Sequence, residues 1–292
     1  MRAHLIVNGA AGGGRCGQRA QSFVDRLQDR GVFAECSYTA APGDATRIAE
    51  RTDADVVVAV GGDGTLFEVV NGLFSRSGGR PALAALPLGT GNSFVRDFGL
   101  HDPEAALDAL SLGRRRVCDV VRARHRDGEL YYVNLLSIGF TARAGALTNR
   151  RFKPLGTGGY VLAVLASLLR LEHPTYSLRI DGGDLDARAC TLWSFSNSRF
   201  TGGDMMMAPD ADVSDGLVDC VRIGPLGRRR FLGAFPKIFK GTHAELAEID
   251  ITQAGRVDFE LDGEVDVMVD GEILRLQLHS LEVLPGALEF IA

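Results

Sequence analysis

The stretch VVVAVGGDGTLFEVVNGLF, Val56–Phe74, decides how this chain is read. Val56 to Val60 is apolar and β-branched nearly throughout, the composition of a strand covered on both faces. Gly61, Gly62 and Gly64 follow at once, and from Thr65 the spacing predicts a helix to Phe74. Successive glycines let backbone amides converge on an anion, and the start of the next helix adds positive potential. The loop is not a Walker loop, because GxxxxGKS/T is absent, and it is not a GxGxxG fingerprint.

Two more loops of this kind lie outward from it. PLGTGNS, Pro87–Ser93, follows the apolar strand ALAALP, and NGAAGGG, Asn8–Gly14, follows LIVN. Glycine also makes ordinary tight turns, but three such loops at three strand ends favour one phosphate-binding rim. Around them the spacing predicts helices over Gly17–Arg30, Ser93–Phe98 and Pro103–Leu110, and a strand AECSY at Ala34–Tyr38. Asp44 is the expected N-cap of a further helix to Arg51. This alternation argues for a doubly wound parallel α/β domain over residues 1–125, with its ligand at the carboxyl ends of the strands.

Residues 126–292 read differently. Apolar helices are expected at Gly159–Leu171 and at Arg228–Phe239, the second broken or kinked by Pro236. The remainder alternates with period two and is punctuated by Asp-Gly pairs. Strands are expected at Thr175–Ile180, Ala189–Phe195, Leu217–Ile223, Arg256–Leu261, Val265–Val269, Ile273–Leu278 and Leu281–Leu284. Closely spaced strands with such turns suggest an antiparallel β-sandwich domain. No Pro- or Ser-rich linker separates the halves, so close packing with a cleft between them is expected.

Composition narrows the classes. Hydrophobic residues at 46% and charged residues at 24% exclude a disordered or fibrous chain. The net charge of −5 makes steering towards nucleic acid by overall charge an unlikely role. Cys16, Cys36, Cys118, Cys190 and Cys220 are odd in number and include no CxxC pair, which fits a reducing, cytoplasmic setting. The N-terminus has no signal-peptide core, and Tyr160–Leu171 is too short to span a bilayer, so membrane contact is expected to be peripheral.

The loops carry a resemblance. GGDGTLFEVVNGL with PLGTGN looks like the catalytic domain of the diacylglycerol kinase family, which includes bacterial soluble lipid kinases and sphingosine kinases and shares its fold with NAD kinases. RFKPLGTGGYVLAVLASLL (Arg151–Leu169), FTGGDMMMAPDADVSDGLVDCV (Phe200–Val221), VDGE (Val269–Glu272) and VLPGAL (Val283–Leu288) resemble later segments of that family in the same order. The resemblance implies an ATP- and magnesium-dependent lipid kinase acting on a hydroxyl of a diacylglycerol-like lipid at a membrane surface. It places ATP on Asn8, Gly9, Ala10, Ala11 and Gly12, on Thr39, on Gly61, Gly62, Asp63, Gly64, Thr65, Leu66 and Phe67, and on Thr90. Two departures stand out. Gly9 replaces the family's usual Pro, and Ser93 stands where the family often has Asp, a hydroxyl that can cap the helix beginning there and supplies no carboxylate.

For the chemistry, the resemblance makes Asp270 the proton acceptor, with Glu272 beside it as a supporting carboxylate. The rival Asp262-Gly263-Glu264 comes eight residues too early relative to PGAL and reads as a hairpin turn. Without the resemblance, Asp270-Gly271 also reads as a turn. Asp63 is a second candidate base, implied by the sphingosine kinase branch, or else helps hold magnesium or order the glycines. The same resemblance puts Mg2+ on Asp215, with Asp212 and the Leu217 carbonyl; the bland alternative is a solvated acidic turn. The segment is not an EF-hand, since the glutamate at the twelfth position is missing.

Arg228, Arg229 and Arg230 precede Phe231, Phe235 and Phe239, with Lys237 and Lys240 alongside. That stripe is either core or a face for anionic lipid. Arg150, Arg151 and Lys153, and Arg114 to Arg116, are smaller basic patches. Met205 to Met207 suit either a variable apolar ligand or ordinary packing. An NAD kinase-type nucleotide kinase and a non-catalytic lipid- or nucleotide-binding regulator are the competing functions, and a homo-oligomer is left open.

Overall fold

The computed structural model describes residues 1–147, 162–164 and 166–292, the side chain of residue 15 excepted. Arg150, Arg151, Lys153 and the opening residues of the helix expected from Gly159 lie outside the described residues. The chain divides into two compact units: Met1–Val120 with Gly286–Ala292, and Val121–Pro285.

The first unit alternates strand and helix: β1 Arg2–Val7, α1 Arg15–Asp29, β2 Phe33–Tyr38, α2 Asp44–Arg51, β3 Val56–Gly61, α3 Asp63–Phe74, β4 Ala82–Pro87 and α4 Pro103–Leu112. The four strands pair in parallel in the order β2-β1-β3-β4. Every residue of β3 and β4 is buried, as their continuous apolar runs require. The order reverses between β1 and β3, so the crevice beyond their carboxyl ends is the switch point of the sheet. The end of the chain returns to this unit, where Phe290 pairs in parallel with Leu83. The Phe290 ring lies 5.3 Å from Phe94 and 4.6 Å from Phe98, a buried aromatic cluster under the loop after β4.

Of α1 to α4, only α4 starts on a side-chain cap, while α1, α2 and α3 start on glycine. The Asp102 carboxylate accepts from the amides of Glu104 (2.8 Å) and Ala105 (3.0 Å), and Pro103 opens α4. Asp44, expected as the N-cap of α2, is instead its first helical residue, and Gly43 at φ 83° caps the helix. The preceding turn supplies the nearer donors: Asp44 accepts from the amides of Ala40 (2.8 Å) and Ala41 (3.0 Å).

The second unit is an antiparallel β-sandwich. Its strands, some running in from the first unit, are β5 Arg115–His125, β6 Gly128–Tyr132, β7 Leu135–Gly139, β8 Leu178–Ile180, β9 Leu185–Asp186, β10 Leu192–Ser196, β11 Phe200–Thr201, β12 Met205–Met206, β13 Val218–Ile223, β14 Ile249–Ala254, β15 Arg256–Phe259, β16 Val265–Val269, β17 Glu272–Leu276 and β18 Leu278–Ile291. One layer is an antiparallel sheet in the order β14-β13-β10-β7-β16-β17. The other contains β15 between β18 and β8. The layers meet where Phe195 of β10 packs edge-on against Phe259 of β15 at 5.4 Å, and where the Tyr132 hydroxyl donates to the Phe195 carbonyl at 3.2 Å. β5, β6, β7, β9, β11, β12 and β14 were not expected. The stretch from Arg228 is helical to Ala234 and tightens to a 3-10 helix, Phe235–Lys240, at Pro236, as the proline dictates. Among the described residues no helix is long and apolar enough to cross a membrane, and none of the five cysteines forms a disulfide.

Phe290→Ala removes the ring that ties the chain end to the first unit, and loss of a buried Phe costs about 3–5 kcal/mol. Hydrogen exchange is expected to show lost protection in β3 and β4 while β10 and β13 keep theirs. Unchanged protection in β3 and β4 would contradict this packing.

Candidate active site

The registers Val7–Tyr38, Val7–Val60 and Val60–Leu86 align the carboxyl ends of β2, β1, β3 and β4. The three glycine loops and Thr39 leave the sheet at that edge. Asn8 ties the two strands of the switch point together: its amide donates to the Val60 carbonyl (3.0 Å) and its Nδ2 to Thr65 Oγ1 (3.2 Å). Its Oδ1 accepts from the Ala10 amide at 3.2 Å. Beyond it Gly12, Gly13 and Gly14 all have left-handed φ, at 61°, 71° and 88°, and the space that side chains at Gly13 and Gly14 would fill is open. The Thr39 amide donates to the Val7 carbonyl at 2.9 Å. Leu66 and Thr65 are buried, Phe67 is half-buried, and Thr90 is exposed at the bend of its loop.

The loops after β3 and β4 touch backbone to backbone. A Cβ on Gly62 would sit 3.1 Å from the Gly89 Cα, and one on Gly89 would overlap the Gly62 Cα outright. Asp63 locks this contact, accepting from the Ser93 amide at 2.7 Å. Burial pushes the Asp63 carboxyl above its ordinary pKa; the amides of Ser93, Asn92 and Asp63 itself pull the other way, as does Arg96. Asn92, at φ 52°, folds back on the same loop: its Oδ1 accepts from the Gly89 amide (3.1 Å) and its Nδ2 donates to the Gly89 carbonyl (2.9 Å). Sequence reading missed this residue's role; the signal was an Asn, the side chain that best tolerates left-handed backbone, directly after GTG.

In the second unit, Asp270 and Gly271 form the two-residue turn between β16 and β17, with φ 43° and 88°. Both values are positive, as a type I′ hairpin requires. The Asp270 side chain is turned inward and is 3% exposed. Its Oδ2 accepts from the Val133 amide (3.0 Å), and its Oδ1 from the amides of Asn134 (3.1 Å) and Leu135 (2.9 Å). The Asp270 amide in turn donates to the Leu135 carbonyl at 3.0 Å. Asp-Gly is therefore a hairpin and a clamp on the segment leading into β7. Glu272, the first residue of β17, is exposed. The rival Glu264 is an ion-pair partner of Arg126 (2.8 Å) and Arg275 (3.4 Å), and Asp262 is exposed.

The acidic loop before β13 is held by its own amides. Asp212 Oδ1 accepts from the Ser214 amide (3.0 Å) and hydroxyl (2.8 Å), and Asp215 Oδ1 from the Leu217 amide (2.9 Å). Gln253 donates to Asp215 Oδ2 at 3.2 Å. Asp219, which the sequence did not single out, is buried on β13, and its pKa is pushed up to about 6, first by burial and then by Asp215 and Asp210. Mutual repulsion of this kind is what a cation relieves. Among the described residues no three His, Cys, Asp or Glu side chains converge, so a cation here would take Asp212, Asp215 and backbone oxygen such as that of Leu217.

The chain thus carries a glycine-loop edge at the switch point of a parallel sheet in one unit and an antiparallel sandwich in the other. The diacylglycerol kinase catalytic domain matches residues 2–123, and the YegS C-terminal NAD kinase beta sandwich-like domain matches residues 134–292. The chain belongs to the diacylglycerol kinase catalytic-domain family, whose members are phosphotransferases with an alcohol group as acceptor. A protein named diacylglycerol kinase in Mycobacterium tuberculosis (strain ATCC 25618 / H37Rv) is 34% identical over 260 residues, covering 86% of this chain and 82% of that relative. Another so named in Bacillus subtilis (strain 168) is 28% identical over 262 residues, covering 88% and 84%. A crystal structure of a diacylglycerol kinase from Bacillus anthracis str. Sterne shares the fold, with a TM-score of 0.75 at 24% identity, over 99% of this chain and 96% of that one.

Asp219 gives a pH signature. Its folded pKa of about 6 lies above the ordinary carboxylate value, so protonation favours the fold. That contribution is complete below about pH 4 and is lost as pH rises through about 6. Asp219→Asn is expected to flatten stability across this window and to gain up to about 3 kcal/mol at neutral pH relative to the parent. Urea unfolding over a pH series checks it; parallel profiles for the two proteins would contradict the assignment.

Proposed function

We propose that the chain transfers the γ-phosphoryl group of ATP, with magnesium, to a hydroxyl of a diacylglycerol-like lipid at a membrane surface. The observation that carries this reading is the backbone contact of two glycine loops at the switch point, an edge of amides suited to phosphates. The lipid acceptor is supported by the names of the relatives over both units. The cysteines, none of them in a disulfide, agree with a cytoplasmic enzyme.

In this reading Asn8 to Gly12, Thr39, the Gly61–Phe67 loop and Thr90 hold the nucleotide. The open, left-handed glycines after β1 leave room for phosphate oxygens, so the residues present fit the group. Asp212, Asp215 and the Leu217 carbonyl would hold magnesium, which would supply positive charge to their acidic loop. The remaining assignments follow from how each carboxylate is engaged. Asp63 spends its oxygens on the second glycine loop, and Asp270 on the three amides at 133–135, which makes both positioning residues. Glu272, exposed one residue past the clamp, is the carboxylate free to take a proton. The acceptor oxygen bonds to the γ-phosphorus, the bond to the β-phosphate oxygen breaks, ADP leaves, and Glu272 receives the hydroxyl proton. A second reading, transfer to a nucleotide acceptor, follows from the NAD kinase character of the sandwich domain match.

The test is transfer from radiolabelled ATP to diacylglycerol in mixed micelles, with NAD as a parallel acceptor. Label is expected in the lipid alone; label in NAD alone overturns the acceptor assignment. Glu272→Gln is expected to cut kcat by about 100-fold or more with an unchanged melting temperature. Asp270→Asn is expected to lower both, since one buried amide of the clamp then faces an NH2 group at a cost of about 1–3 kcal/mol. Near-normal turnover of Glu272→Gln would return the base to Asp270.

A further inference from the structure

The helix Arg228–Ala234 and the 3-10 turn Phe235–Lys240 present apolar residues on two faces. One face is core: Phe231 is buried with its ring 4.8 Å from Phe140, and Ile238 is buried beside it. The other face is open, with Leu232 48% and Phe239 46% exposed. Phe235 joins the two, stacked on Phe231 at 6.1 Å and edge-on to Phe239 at 6.0 Å. Leu169, 72% exposed, lies beside the start of the same helix, where Arg228 Nη2 donates to its carbonyl at 2.8 Å. The stripe that the sequence left as either core or surface is thus both.

Charge identifies what covers the open face. Gly227 to Gly241 carries five cations, Arg228, Arg229, Arg230, Lys237 and Lys240, and no carboxylate, within a chain of net charge −5. Among the described residues only Arg230 is matched by an acid, pairing with Glu248 at 2.9 Å. Exposed leucine and phenylalanine ringed by long cationic side chains suit an interface that is apolar below and anionic above.

We propose that this face docks the enzyme on an anionic lipid surface, Leu232, Phe239 and Leu169 entering the headgroup boundary and Lys237, Lys240 and Arg229 meeting lipid phosphates. The proposal rests on the lipid-kinase reading only for its purpose, since docking is measured without turnover. Lys237→Glu/Lys240→Glu and Leu232→Ser/Phe239→Ser change exposed side chains outside the proposed nucleotide, metal and proton-transfer residues, and thermal melting confirms their folding. Flotation uses vesicles of phosphatidylcholine alone and of an equimolar phosphatidylcholine–phosphatidylglycerol mixture. The parent is expected to float with the mixture and not with phosphatidylcholine alone, and each double variant to bind at least about tenfold less. Turnover of long-chain diacylglycerol in the mixed vesicles should fall likewise, while a short-chain diacylglycerol in solution is turned over as by the parent. Variants that float like the parent, or a parent that floats with neither vesicle, overturn the proposal. So does a self-associating parent that ignores vesicles and is made monomeric by the same substitutions, which assigns the face to a second copy of the chain. A parent that floats yet phosphorylates no lipid upholds docking and removes the kinase reading instead.

Discussion

The hydrogen bond from the Ser93 amide to the Asp63 carboxylate is the constraint on which the first unit's site depends. Glycine-rich loops are costly to order, at about 1–2 kcal/mol per residue for the backbone alone. A charge-assisted hydrogen bond returns about 1.5–3 kcal/mol, and Asp63 makes it where the two loops already touch at Gly62 and Gly89. Asn92 adds two bonds to Gly89 from the same loop, and Asn8 adds the brace between β1 and β3. Three short polar side chains therefore set an edge that contains almost no side chain of its own. The carboxylate is buried to do this, which is why its pKa is raised despite its amide donors.

The second unit uses the same device. Asp270 sits in the left-handed region, where Asp is tolerated better than most residues, and its inward carboxylate gathers three consecutive amides. Gathering them fixes the tip of the β16–β17 hairpin and so fixes Glu272 at the start of β17. A carboxylate committed to three amides has few lone pairs left for a substrate proton. In both units, then, the most conspicuous aspartate of the motif organises backbone.

Much of this was legible in the sequence, for identifiable reasons. β3 and β4 are covered on both faces, so their apolar runs announce them, and glycine-loop spacing announces the switch point. The sandwich was legible as a class from its Asp-Gly turns. β5 was not, because RRVCDVVRARH mixes four arginines and an aspartate with buried Cys118, Val120, Val121 and Ala123 on both faces, and so shows neither a continuous apolar run nor a clean alternation. β18 was expected to stop near Leu284, since Pro285-Gly286 looks like a break. The strand instead continues through it, with Gly286 at φ 59° and its amide on Asp119 at 2.7 Å, and so carries Phe290 back to the first unit. Which carboxylate accepts amides and which stays free is a matter of side-chain direction, and spacing alone does not encode it.

In the proposed function, contact between the two glycine loops builds the nucleotide site. Gly89→Ala tests it most directly, because the added methyl would overlap the Gly62 Cα and force the loops apart while leaving β3, β4 and the core untouched. Titration calorimetry with ATP is expected to show affinity reduced by about tenfold or more, with the protein still folded by circular dichroism. A folded Gly89→Ala variant that binds ATP as tightly as the parent would contradict the account.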